Sequence, residues 1–244
     1  MDAKPASFDR TVFIVDAMPL LYRGHFVFLR NPRLTSSGVN TSALVVFGST
    51  LAQILADFNP SHLAVAFDSR TPTFRHERYP AYKAHRQKIP EDLLASIPMA
   101  VALCEALRIP VLREDGFEAD DLMGTLARQA ARSGLQSVLV TPDKDVAQLV
   151  DDRTRLFRPG TRSQEGEWLG PDEVCAHWVG RERGVFVGAT GSRRAGYRWR
   201  GSPAGLRRTR VARRSGSPSP GGAEPTAAMR GSKEPTTRTS AAGP

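Results

Sequence analysis

Acidic side chains cluster at a few points of the sequence, with a spacing that suits shared metal binding. The densest group is Gly116-Phe117-Glu118-Ala119-Asp120-Asp121, in which three carboxylates fall within four positions at the start of a helical segment. Acids near a helix N-terminus are favoured by the helix dipole, so this motif alone is also typical of a capped surface helix. Four further aspartates lie at or just past the ends of strand-like runs. These are Asp16, Asp68, Asp143 and Asp145.

Seven carboxylates at one place would repel one another unless a cation neutralised them. Carboxylate oxygens without paired histidines suit Mg²⁺ or Mn²⁺ better than zinc. A site that holds two such ions can activate a water molecule and stabilise the leaving oxygen when a phosphodiester is cleaved. The acids therefore predict a metal-dependent nuclease, and the prediction depends on their meeting at one edge of a sheet.

Three apolar, β-branched runs are predicted to be the strands that position these acids. They are residues 11–15, 62–67 and 137–140. Segments with helical spacing of apolar residues alternate with them. The predicted helices are residues 42–58, 93–107 and 119–133. This alternation predicts an α/β fold, with a mostly parallel central sheet flanked by helices. Ligands of such sheets bind beyond the carboxyl ends of the strands, which is where the acids fall.

One polar segment interrupts this alternation. Residues 70–91 are basic and punctuated by proline, and they include the aromatic residues Phe74, Tyr79 and Tyr82. We expect an exposed arch or loop, in which basic side chains meet phosphates and aromatic rings stack on unpaired bases. Ordinary loop packing of the tyrosines is the alternative.

The charge of the chain is unevenly distributed. Its net charge is +9, but residues 180–244 contain 14 Lys and Arg against 3 Asp and Glu, so the remainder is close to neutral. This last part is rich in Arg, Gly, Ser and Pro, a composition that predicts disorder. The predicted organisation is an N-terminal extension (1–10), a core (11–178) and a basic tail (179–244).

No run of the sequence is apolar enough to predict a membrane span or a signal peptide, so we expect a cytoplasmic protein. The two cysteines, Cys104 and Cys175, are too few for a zinc cage and are predicted to be reduced.

Four segments together resemble a known family. VFIVDAMPLLYRGHF, AVAFDSRTPTFRHERYPAYKAHR, GFEADDLMGTLA and TPDKDVAQLV, in this order, are similar to signature blocks of the 5′-nuclease domain of bacterial DNA polymerase I, which is related to the flap endonucleases. The resemblance covers roughly residues 11–178. It implies a PIN-like core, with Mg²⁺ or Mn²⁺ as cofactor and two ions in an intact member.

The resemblance also implies roles for single residues. First-metal ligands would be Asp16, Asp68, Glu118 and Asp120. Asp121, Asp143 and Asp145 would contribute to the first and second ions. Catalytic cations would be Lys83, Arg86 and Arg23, and Arg23 and Tyr22 would lie near the entering 5′ end. DNA contacts would come from Tyr22, Phe74, Arg75, Tyr82, Lys83 and Arg86.

The resemblance stops near Trp178. Members of the family continue into a Gly-Asp-x-x-Asp-Asn-x-Pro-Gly block and a helix-hairpin-helix element, but this chain contains no aspartate after Trp178. A shifted reading frame that begins near residues 178–184 explains the change of composition, and an evolved basic tail is the alternative. In either case the second ion loses ligands, so we expect impaired catalysis.

The predicted function is a 5′→3′ exonuclease or 5′-flap endonuclease that acts on DNA in replication and repair. Expected partners are DNA with 5′ ends or flaps, RNA primers and a DNA polymerase, and the chain is expected to be a monomer. Two alternatives are a DNA-binding remnant without activity and a PIN-type ribonuclease, although the basic arch argues against the ribonuclease.

Overall fold

The computed structural model describes residue 5, residues 7–161 and residues 164–176. The predicted tail and part of the predicted N-terminal extension lie outside the described residues. The strands are β1 (Thr11–Asp16), β2 (His62–Ala66), β3 (Val111–Leu112), β4 (Gln136–Val140), β5 (Thr154–Arg158) and β6 (Glu167–Leu169). The helices are α1 (Ala17–Val27), α2 (Ser42–Phe58), α3 (Phe74–Arg78), α4 (Glu91–Ala106), α5 (Ala119–Arg132) and α6 (Pro171–Val174). A 3₁₀ helix covers Lys144–Leu149.

The six strands form one sheet in the order β3-β2-β1-β4-β5-β6. Strands β1 to β5 are parallel, and β6 pairs with β5 in the antiparallel direction. The predicted α/β fold with a mostly parallel sheet is therefore confirmed. The three strands predicted from the sequence, β1, β2 and β4, are neighbours at the centre of this sheet, so their carboxyl ends share one edge.

Side chains of β1 alternate between two apolar layers, as the strand geometry requires. Phe13 and Val15 belong to a buried cluster that includes residues of α1, α2 and α4. Val12 and Ile14 belong to a second cluster, built largely from α5 on the other face. By the same alternation, Asp16 points to the face that α5 covers. Among the described residues, no helix is long and apolar enough to cross a membrane.

Helix α1 crosses α2 at a glycine. A Cβ atom on Gly24 would lie 2.8 Å from the Cα and carbonyl oxygen of Ala43 and from the carbonyl oxygen of Ser42. These are backbone atoms, which cannot rotate away as a flexible side chain can. The close crossing holds α1, which follows directly on Asp16, against the rest of its layer.

We predict that Gly24→Ala lowers the free energy of unfolding by about 1–3 kcal/mol, because the added methyl group overpacks this crossing. Gly48→Ala in α2 is the matched control, since its Cβ would meet only Leu103 Cδ2 at 3.4 Å. Alanine favours helix over glycine by up to about 1 kcal/mol, so the control should be neutral or stabilising. Urea unfolding of both variants checks this, and equal losses would contradict the steric argument.

Candidate metal centre

Four aspartates converge at the carboxyl edge of the sheet. Asp16 ends β1 and is only 4% exposed. Asp68 follows β2, Asp120 lies in the first turn of α5, and Asp143 follows β4. The pKa of Asp16 is raised from 3.8 to about 8, first by burial and then by the charges of the other three aspartates, against a hydrogen bond from Thr141 that lowers it. The four carboxylates are therefore coupled electrostatically.

Asp120 shows the same crowding of negative charge. Its pKa is raised from 3.8 to about 6, first by burial and then by the charges of Asp143, Asp68 and Glu118, while Lys83 acts in the opposite direction. Clustered carboxylate oxygens in this state fit a hard divalent cation. As the side chains stand, however, no group of three or more His, Cys, Asp or Glu residues in the described part of the chain could hold a metal ion. Binding an ion would require these side chains to turn towards it.

The hydroxyl group of Thr141 links the end of β1 to the loop after β4 by hydrogen bonds. Thr141 Oγ1 donates to Asp16 Oδ2 at 3.0 Å and accepts a hydrogen bond from the backbone N–H of Asp143 at 3.2 Å. This buried side chain links β1 to the loop after β4. Thr141 was absent from the predicted site, although its place between a strand and the motif Pro142-Asp143-Lys144-Asp145 was a usable signal.

The loop after β2 is bound to the start of α5. Asp68 Oδ1 accepts the backbone N–H of Ala119 at 2.9 Å, so this acid caps a helix from another segment. Gly116 N donates to Ser69 Oγ at 3.1 Å, and Phe74 N donates to the carbonyl oxygen of Gly116 at 3.2 Å. Gly116 adopts φ +84°, the left-handed region that favours glycine. These contacts form the base of the predicted arch, where α3 begins.

Glu118 lies under the arch and is 7% exposed. Lys83 Nζ donates to its Oε1 at 2.7 Å, and the hydroxyl of Tyr82 donates to its Oε2 at 3.0 Å. Partial burial lowers the pKa of Lys83, but the hydrogen bond and charge of Glu118 raise it by more. Burial and the same carboxylate raise the pKa of Tyr82. Lys83 also has φ +57°, an unusual value for a residue with a side chain.

Asp121 is paired with the arch as well. Arg75 donates to both of its carboxylate oxygens, from Nη1 at 2.7 Å and from Nη2 at 2.9 Å. The guanidinium group also lies over the ring of Phe74, at 4.7 Å from its centroid. Phe74 in turn packs against Phe117. The structure thus brings Arg75 and Tyr82, which were predicted to contact DNA, onto the acids.

Four further predicted site residues have different surroundings. Arg23 donates to the backbone carbonyl oxygens of Pro159 and Gly160, in the connection between β5 and β6. Tyr22 stacks on Phe26, with the ring centroids 6.2 Å apart. Arg86 and Asp145 are exposed. The charge of Asp145 is not among those that raise the pKa of Asp16 or Asp120.

The raised pKa of Asp16 predicts a pH dependence of stability. Its folded-state pKa is about 8 against an ordinary 3.8, so the stability that its protonated form contributes is complete below 3.8 and is lost as pH rises through 8. In metal-free protein Asp16→Asn should therefore be more stable than the parent at pH 8 and similar to it at pH 4. Each pKa unit corresponds to roughly 1.4 kcal/mol.

Urea unfolding in the presence of a chelator measures this difference. Asp57→Asn is the control, because Asp57 is exposed in the last turn of α2, before the N-terminal end of β2, whereas the site acids follow the carboxyl ends of the strands. A variant Asp16→Asn that is less stable than the parent at pH 8 would show that the carboxylate is structural.

The comparison with known proteins begins with a family model. The model for the 5′-3′ exonuclease, N-terminal resolvase-like domain matches residues 11–179. DNA polymerase I of Treponema pallidum is 45% identical over 149 residues, which cover 61% of this chain and 15% of that protein. DNA polymerase I of Bacillus subtilis is 34% identical over 166 residues, which cover 68% and 18%. The chain thus spans less than a fifth of the length of these relatives.

Solved structures show the same fold. A bacteriophage T5 flap endonuclease in complex with DNA and metal ions matches with a TM-score of 0.53 and 19% identity, over 69% of this chain and 60% of that one. The T5 5′-exonuclease with bound zinc matches with a TM-score of 0.52 and 22% identity over the same shares. The family model covers well over half of this chain, and the chain therefore belongs to the family of 5′-3′ exonuclease N-terminal, resolvase-like domains.

Proposed function

We propose that this chain is a divalent-metal-dependent 5′ nuclease that acts as a 5′→3′ exonuclease and a 5′-flap endonuclease on DNA. The observation that carries the proposal is the group of coupled aspartates under a basic arch. Asp16 and Asp120 have raised pKa values because they are buried and because negative charge is crowded around them. Membership of the exonuclease family supports the same activity.

The residues that would hold the metal are those whose charges are coupled. Asp16, Asp68, Asp120 and Asp143 supply oxygen donors at one edge, and Glu118 adjoins them. Mg²⁺ or Mn²⁺ at such a site supplies positive charge to a phosphodiester and lowers the pKa of water, and two ions divide these tasks. The crowding of carboxylates in the chain itself is what makes a cation favourable there.

The arch supplies the groups that would meet the nucleic acid. Lys83 is near enough to the acids to pair with Glu118, and exposed Arg86 is near enough to Lys83 for its charge to lower the pKa of that residue. Both cations would stabilise the additional negative charge of a phosphate under attack. The half-buried ring of Tyr22 on α1 offers a face on which an unpaired base at the 5′ end would stack.

Replication and repair are the processes in which we place this activity, with RNA primers as further substrates. A DNA polymerase, fused or separate, is the partner that the relatives suggest, since they carry that name. We further propose a monomer in the cytoplasm, in which catalysis is impaired because the aspartates expected beyond residue 178 are missing from the sequence.

A DNA-binding protein without turnover is the second candidate. Two observations favour it: the described residues contain no ready group of three metal ligands, and Glu118 is occupied by Lys83 and Tyr82. The two candidates differ in one measurable property, because only the nuclease needs a divalent cation to produce cleaved DNA.

The nuclease should cleave a labelled 5′-flap DNA only when Mg²⁺ or Mn²⁺ is present. Asp68→Asn or Asp120→Asn should reduce the single-turnover rate by at least about 100-fold, the scale seen when a group that stabilises transition-state charge is removed. DNA affinity, measured on the same samples without metal, should fall little. Asp57→Asn is the control with the same change of charge. DNA binding without cleavage in the parent would support the second candidate instead.

Lys83→Ala should slow cleavage more than it weakens DNA binding, if its ammonium group acts mainly on the charge of the transition state. Lys88→Ala, an exposed lysine of the same arch, serves as the comparison. Single-turnover rates and the Kd for flap DNA separate the two effects. Equal losses in rate and affinity would make Lys83 an ordinary phosphate contact.

A further inference from the structure

Arg75 and Asp121 form the most completely satisfied ion pair of the described arch. The planar guanidinium of Arg75 matches both oxygens of the carboxylate, at 2.7 and 2.9 Å. The pair is largely shielded from water, with 30% of the Arg75 side chain and 17% of the Asp121 side chain exposed. Contact with the ring of Phe74 further restricts Arg75. The two residues therefore hold one another in a single orientation.

Both oxygens of Asp121 are already used within the protein. Oδ1 accepts from Arg75, and Oδ2 accepts from Arg75 and from the backbone N–H of Glu118 at 3.1 Å. An ion that bound Asp121 directly would have to break this arrangement. The neighbouring Asp120 differs, because no hydrogen bond to its carboxylate is found within the described segments. The adjacent acids thus have different roles.

The connection from Asp121 leads to Glu118. The carboxylate of Asp121 accepts a hydrogen bond from the backbone N–H of Glu118 at 3.1 Å, and the backbone N–H of Asp121 donates to the carbonyl oxygen of Glu118 at 3.1 Å. Arg75 Nη1 also lies 3.6 Å from Glu118 Oε2. A displacement of Arg75 would therefore shift Asp121 and, through it, Glu118. The family resemblance makes Glu118 a ligand of the first metal.

We infer that Arg75 and Asp121 are a positioning pair, which fixes Glu118 at the metal centre. Arg75 then acts through Asp121 and does not contact the DNA backbone, and Asp121 does not ligate the ion. This inference rests on the proposed metal-dependent function, which it deepens by separating the acids that meet the metal from the acid that orients them.

A double-mutant cycle in the full chain tests the pair. Arg75→Met, Asp121→Asn and the double variant are compared by calorimetric titration with Mn²⁺, and their unfolding midpoints are recorded. Partners that orient metal ligands typically contribute about 10- to 100-fold in affinity, so each single variant should bind Mn²⁺ roughly tenfold more weakly. The double variant should be no weaker than either, because the two changes break one interaction. Additive losses would show that Asp121 ligates the metal independently and would overturn the inference.

DNA binding separates positioning from phosphate contact. Each phosphate contact that is lost should reduce the slope of log affinity against log salt by about 1. Arg75→Met should leave this slope unchanged in metal-free protein, whereas Arg86→Met, at an exposed arginine of the same arch, should reduce it. A reduced slope for Arg75→Met would overturn the inference by making Arg75 a phosphate contact.

Hydrogen exchange tests the positioning role of the pair without relying on metal binding. In chelator, the backbone N–H groups of the first turn of α5 should exchange faster in each single variant, and no faster still in the double variant. Glu77→Gln, on the exposed side of α3, is the control. Unchanged exchange would overturn the positioning pair. A parent protein that binds no Mn²⁺ but shows this exchange pattern would contradict the proposed function while supporting the pair.

Discussion

Repulsion between buried carboxylates is the constraint on which the rest of this structure depends. The sheet order places β2, β1 and β4 side by side, so the acids that follow these strands lie close together at one edge. Burial adds to the cost, because a charge out of water is destabilised whether or not another charge is near. The apolar layers that bury β1 are what give the edge its fixed geometry. The stability of the core therefore supports an edge that is electrostatically unfavourable by itself.

Each acid is compensated in a different way. Asp16 accepts a hydrogen bond from Thr141, and Asp68 accepts one from the N-terminus of α5, where the helix dipole favours negative charge. Glu118 accepts hydrogen bonds from the ammonium group of Lys83 and the hydroxyl of Tyr82, and Asp121 accepts hydrogen bonds from the guanidinium group of Arg75. Asp120 receives little beyond the distant charge of Lys83. The pKa values of Asp16 and Asp120 nevertheless stay raised, so burial and neighbouring charge outweigh the compensation at these two acids.

Sequence patterns anticipated the parts of the structure that depend on local chemistry. The helix predicted at 42–58 is α2, and the acid at the end of each central strand lies where the alternation of strands and helices placed it. Strand β3 was not predicted, since two residues carry no periodicity, and β5 contains two arginines that disguise its apolar face. Side-chain pairing was beyond the reach of these patterns. Arg75 and Asp121 are 46 positions apart, and only the closure of the arch onto α5 brings them together.

The same limit explains why pairing of the arch with the acids was not among the roles predicted for it, which were DNA contact and ordinary loop packing. Basic and aromatic residues in a polar segment are typical of nucleic-acid contacts. The same side chains also pair with buried carboxylates. Arg75 and Lys83 differ in the number of hydrogen bonds that each would lose on leaving its carboxylate. The fork of Arg75 loses two aligned hydrogen bonds if it leaves Asp121, whereas Lys83 holds Glu118 with one ammonium group from a left-handed backbone position. A phosphate near the arch would therefore compete for Lys83 before it competes for Arg75. In the proposed function, Arg75 would therefore stay with the acidic edge while Lys83 turned to the substrate.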